Sequence, residues 1–220
     1  MNLKISLLLS VGLFSTTMHA GIIYSNFGPS NAYDGSNSWG VYGSGNFLGV
    51  GYSETAARFT PSDNVTLTQI DIALWAAVPD SIVLTLNSDS GGLPGGTLAT
   101  WNLSGLPGSG SCCIVQTVTP ASPITLNSGT QYWIVAAPGD PEFLGAWNAN
   151  SLGIQDPFAQ DTGGGFSPSL EQNTPAFDVL GDVVRGSEGT DVPEPATLTL
   201  LSTSLLFALV LGHKGRITSL

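Results

Sequence analysis

Between residues 21 and 191 the chain never sustains a helical repeat. Apolar residues recur in short alternating or β-branched runs, and clusters of Gly, Pro, Asn and Asp interrupt them at close intervals. With 28 glycines and 14 prolines in 220 residues, few windows are free of a helix breaker for long enough to form several turns. Regular interruption of strand-like runs is the pattern of an antiparallel β-sandwich or barrel. The expected class is therefore all-β.

Strands are expected near 21–25, 54–60, 66–76, 81–87, 97–103, 114–119, 124–126, 131–137, 144–148 and 176–179. Within 67–74, Ile70, Ile72 and Leu74 share one face and Gln69 and Asp71 the other, as in a half-buried strand. The run 131–137 is apolar on both faces after Gln131, which places it centrally in a sheet. Three stretches read as connections: 87–96, 105–111 and a longer loop at 156–174 containing Gly163 to Gly165. No internal repeat is visible.

Both ends read as addresses. Residues 1–20 carry Lys4, an apolar run from Ile5 to Phe14 and a short polar segment ending at Ala20, the layout of a secretory signal peptide cut by signal peptidase. At the other end, Val192-Pro193-Glu194-Pro195 precedes an uncharged stretch, 196–212, and then His213, Lys214 and Arg216. The prolines keep a helix from extending upstream, the apolar stretch is long enough to cross a bilayer as a transmembrane helix, and the basic end stays cytoplasmic. The division expected is a signal peptide (1–20), a β-sandwich ectodomain (21–180), a polar linker (181–191) and a tail (192–220).

The tail resembles the PEP-CTERM sorting signal of Gram-negative bacteria, with its motif at Val192, Pro193, Glu194 and Pro195 and its basic end closing at Arg216. The resemblance implies processing near Pro-Glu-Pro by an exosortase, an integral membrane cysteine protease, after transient anchoring in the inner membrane. Delivery to the cell surface or the extracellular matrix follows. A weaker likeness joins Ala57-Arg58-Phe59-Thr60-Pro61, residues 67–74, Ile82 to Leu86, the Gly92-Leu93-Pro94-Gly95 turn, Tyr132 to Val135 and Pro175 to Val179. These are similar to the "choice-of-anchor" surface domains that often precede such tails, and they imply a jelly-roll-like sandwich of unassigned activity.

Charge and missing residue types narrow the chemistry. Fifteen of the sixteen acidic residues lie between Gly21 and Asp191, against Arg58 and Arg185 alone. Such a surface repels nucleic acid and anionic lipid. The same region holds neither histidine nor lysine, because His19, His213, Lys4 and Lys214 all lie outside it. A Ser-His-Asp triad, a Cys-His pair, a histidine-ligated zinc and a Schiff-base lysine are therefore excluded there. Only carboxylate chemistry passes that filter.

The expected role is a non-catalytic surface or matrix protein associated with exopolysaccharide or biofilm. The alternatives are a carbohydrate- or calcium-binding module and a carboxylate-based glycosidase, which needs two carboxylates facing across a cleft. Trp39, Tyr42 and Trp147 are the candidate glycan platform. Asp140, Glu142 and Asp89 are weak calcium candidates, Asp89 lacking the bidentate Glu that completes an EF-hand loop. Adjacent Cys112 and Cys113 leave three readings open: a vicinal disulfide, thiols pairing between chains, or at least one thiol packed as a small apolar side chain. No cofactor is expected beyond calcium.

Overall fold

A computed structural model of the protein describes residues 20–78, 81–169 and 172–184. The remaining signal-peptide residues, 185–191 of the expected linker and the whole sorting tail lie outside the described residues. A single 3-10 turn, Pro29–Asn31, is the one helical piece among them. Everything else regular is antiparallel strand, so the all-β class holds.

The described residues form three sheets. The first orders β1 (Gly21–Ser25), β14 (Phe177–Val183), β4 (Val65–Ile72) and β8 (Gln116–Val118), with β9 (Thr125–Leu126) also on β4. The second orders β13 (Phe166–Ser169), β12 (Phe158–Asp161), β3 (Glu54–Phe59), β10 (Tyr132–Pro138), β6 (Ile82–Asp89) and β7 (Pro94–Leu103). The third orders β2 (Tyr33–Tyr42), β11 (Leu144–Asn150) and β5 (Leu74–Val78). One chain run links the first sheet to the third. β4 leads into β5 through Ala73, whose N–H donates to the Ala176 carbonyl while its own carbonyl accepts from the Asn148 N–H. The expected single strand over 66–76 is thus two strands in two sheets.

The main core lies between the six-stranded sheet and the other two. It draws Phe59, Leu84, Leu86, Tyr132 and Ile134 from one side and Val41, Leu67, Ile70, Ile72, Leu74, Trp147, Phe177 and Val179 from the other. Such a layered arrangement lets each sheet bury one face. Within β4 the buried positions switch from Val65 and Leu67 to Ile70 and Ile72. A bulge causes the change of parity, because the partners on β14 step from Leu180–Gln69 to Gly181–Leu67 and leave Thr68 unopposed.

β10 is central, flanked by β3 and β6, and buried on both faces. Its outer face packs Trp133 and Val135 with Ala56 and Ala159. Arg58 sits 6.0 Å from the centre of the Trp133 ring, and the Trp133 indole N–H donates to Asp89 at 2.8 Å.

Three strands were not foreseen. β2 carries Asp34-Gly-Ser-Asn-Ser38, and β12 and β13 fall inside the stretch expected to be one long loop. β14 also runs to Val183, three residues into the stretch expected to be linker.

Candidate functional site

An open polar cleft is built on the β2–β11 ladder. Trp39 lies opposite Trp147 and Ser38 opposite Asn148; the next pairing then jumps to Ala149–Asp34, so residues 35–37 bulge outward. Asp34 holds that excursion, its Oδ1 accepting from the Ser36 N–H (2.9 Å), the Ser36 hydroxyl (2.6 Å) and the Asn37 N–H (3.3 Å). These hydrogen bonds, the Ser36 hydroxyl foremost, lower the Asp34 carboxyl to about 2. Asn37 and Ser38 are thereby set beside Trp39, facing Gln172 and Asn173 across an open cleft of about 300 Å³ floored by Ala149.

Trp39 is held before any ligand arrives. Its indole N–H donates to the Asn173 carbonyl at 2.8 Å, and its ring packs on Phe158 with centroids 4.3 Å apart. Among the described residues the lining offers one aromatic ring, three carboxamides and a hydroxyl, with no charged side chain. Such a set can stack on an apolar ring face and hydrogen-bond to neutral hydroxyls.

The other platform candidates do not join it. Trp147 is fully buried in the core; its ring meets Phe177 edge-on and its N–H donates to the Ala176 carbonyl at 2.8 Å, so it cannot touch a ligand. Tyr42 is odd-even displaced from Trp39 on the same strand, and so faces the other side of β2. Its ring lies where a Cβ on Gly40 would stand, 2.3 Å from the ring's Cζ, which is why residue 40 carries no side chain. Of the three aromatics, only Trp39 lines the cleft.

The weak calcium candidates, Asp140, Glu142 and Asp89, lie outside the lining of this cleft. Asp140 and Asp89 sit at opposite ends of the β6–β10 ladder, whose register runs from Tyr132–Ser88 to Pro138–Ile82. At about 3.3 Å per residue this puts them roughly 20 Å apart. Asp140 Oδ1 accepts the Glu142 N–H at 2.8 Å and so closes its own turn. The Asp89 carboxylate accepts from the Gly92 N–H and from Trp133. No group of three or more metal-ligating side chains occurs among the described residues.

Two carboxylate pairs arise that the sequence did not reveal. Glu54 opposes Asp161 across β3 and β12. The Glu54 carboxyl is raised above its ordinary value, chiefly by burial; it accepts from the Tyr52 hydroxyl, while Asp161 accepts the Gly163 and Gly165 N–H groups. Asp71 opposes Asp178 across β4 and β14, where both are buried. Neither pair lines the Trp39 cleft.

Cys112 and Cys113 are joined to each other. Both are exposed, which overturns the packed-thiol reading, and Cys113 adopts a φ of 71°. Their loop is tied to the domain by Tyr33, whose hydroxyl donates to the Ser111 carbonyl at 2.7 Å and receives the Ile114 N–H at 3.3 Å.

No protein-family model matches the chain, and no curated protein matches it.

Proposed function

We propose that the chain is an exported, non-catalytic surface or matrix protein that contacts exopolysaccharide through the Trp39 cleft. Export would rest on the signal peptide, and display or release on exosortase processing at Val192 to Pro195. The three-sheet β fold would be a jelly-roll-like carrier for the cleft. The observation that carries the reading is the anchored indole of Trp39 among neutral amides. A neutral, hydroxyl-rich ligand suits that lining, whereas an anionic one would meet a strongly acidic protein.

Affinity electrophoresis of the exported product in gels containing extracellular polysaccharides tests this directly. Trp39→Ala is expected to weaken retention about tenfold, the loss of roughly 1.4 kcal/mol of stacking. Retention equal to wild type, with an unchanged melting temperature, would remove the cleft from the binding surface.

Processing has a separate readout. Replacing Pro193, Glu194 and Pro195 with alanines is expected to leave an uncut, membrane-associated product of higher mass in cells that contain an exosortase. An identical mass and an identical distribution between cells and medium would reject exosortase handling.

A further inference from the structure

Four strands of the first sheet meet in one row. Ser25 of β1 opposes Asp178 of β14, Asp178 opposes Asp71 of β4, and Asp71 opposes Thr117 of β8. These side chains share the face turned away from Phe177, Val179, Ile70 and Ile72, which are in the main core. Two residues along each strand the same face carries Phe27, Ala176, Ala73 and Val115, members of a small apolar cluster that also includes Tyr33. The apolar groups wall in the row, leaving Asp71 7 % and Asp178 6 % exposed.

Like charges placed directly opposite each other weaken a ladder, and no cation among the described residues offsets these two. Arg58, the one basic residue among the described residues, belongs to the other layer, over Trp133. Asp71 accepts from Gln69 Nε2 at 2.8 Å and from the Thr117 hydroxyl at 2.5 Å. Asp178 fares worse, since its Oδ1 is sealed from solvent with no donor in reach. Leaving a buried carboxylate oxygen unpaired is costly. A single proton cures both defects, because it removes one charge and turns one carboxyl into a donor to the other.

We propose that Asp71 and Asp178 hold one proton between them, so that the ladder joining β14 to β4 reaches full strength only while that proton is bound. Solvent reaches the pair too little for it to act on a substrate; its effect is on the fold.

The surrounding groups agree with this assignment. Ser25, Gln69 and Thr117 are neutral. Asp182, further along β14 and opposite Thr66, adds another acid whose Oδ1 has no donor. Tyr33 in the flanking cluster has its hydroxyl committed to Ser111 and Ile114. Burial foremost, then the charge of Asp71 and a hydrogen bond with it, push the Asp178 carboxyl up to about 7. An aspartate in the unfolded chain titrates at about 3.9. Between those two values the native state holds a proton that the unfolded chain has released. Stability therefore falls as pH rises through that window and stays at the lower level above it.

Thermal unfolding of the exported chain, followed between about pH 5 and pH 8.5, tests the proposal. Asp178→Asn supplies an amide donor to Asp71 at every pH and should lose this component of the pH dependence. The melting temperature of wild type relative to the variant is expected to fall by on the order of 5–10 °C across the range. Parallel curves for the two proteins would overturn the shared proton. Should the variant not fold, carbon-13 titration of the wild-type carboxyls gives the answer. One buried carboxyl titrating near neutrality supports the pair, and both titrating near the free value overturn it. A calcium-induced rise in melting temperature at about pH 8.5, lost in the variant, would mean that a cation neutralises the pair, and would overturn the proton assignment too.

Discussion

Replacing Trp147 with alanine should unfold much of the protein at temperatures where the wild type is intact. The indole is fully buried among Phe177, Val41 and Leu74, so the substitution leaves a cavity the size of two fused rings. Such truncations cost about 3–5 kcal/mol. The Ala176 carbonyl also loses the indole N–H that reached it at 2.8 Å, which adds about 1 kcal/mol. Against a total stability of about 5–15 kcal/mol the loss is severe. Differential scanning calorimetry should show a melting temperature lower by roughly 10–20 °C. Trp147→Phe keeps most of the ring packing and should recover more than half of that loss. A Trp147→Ala protein that melts with wild type but no longer binds polysaccharide would reverse the assignment, making residue 147 a ligand contact.

The second large effect is expected at Asn26, a polar side chain with no solvent exposure. Its carboxamide oxygen accepts the Phe177 N–H at 2.8 Å, and its NH₂ donates to the Pro175 carbonyl at 2.8 Å and to the Thr174 hydroxyl at 3.2 Å. One side chain thus supplies the hydrogen bonds that the backbone cannot make where the chain enters β14. Alanine there strands a donor and an acceptor in the interior, each at about 1–3 kcal/mol. We expect a total loss of about 3–5 kcal/mol, read as a lower midpoint in urea with an unchanged slope. Asn26→Asp restores the acceptor but places a charge in the same enclosed space, and should be no better than alanine near neutral pH. A midpoint within experimental error of wild type for Asn26→Ala would show that water replaces these bonds.

Strands whose identity lies in their own side chains were legible from the sequence. The run 131–137 is apolar on both faces, and a strand with that pattern has no good place except the middle of a sheet, where β10 is found. β2 announces nothing of the kind. Asp34-Gly-Ser-Asn-Ser38 is turn chemistry by composition, yet its ends pair with β11 and the bulge absorbs its middle. There tertiary pairing overrides local preference. β12 and β13 are short, and the glycines between them looked like the centre of a loop when they are the turn of a hairpin.

The site was legible only in part, for a related reason. Trp39 stood out because little apolar sequence surrounds it, and it does line a cleft. Trp147 has equally polar neighbours in Asn148 and Asn150, but those amides are buried and bound to backbone: Asn148 to Ala73, and Asn150 to Ile154 and Thr174. Asn composition was therefore no guide to exposure. The Asp71–Asp178 contact joins positions more than one hundred residues apart, and no local pattern encodes such a register.

The placement of β14 has a mechanical consequence. The strand is paired on both sides, with β1 along one edge and β4 along the other. Tension applied to the chain beyond Val183 and directed along the strand would load both ladders in shear, with the rungs sharing the force instead of parting in sequence as in unzipping. A domain held at its C-terminal side while gripping a polymer elsewhere would resist drag better than one ending on an edge strand.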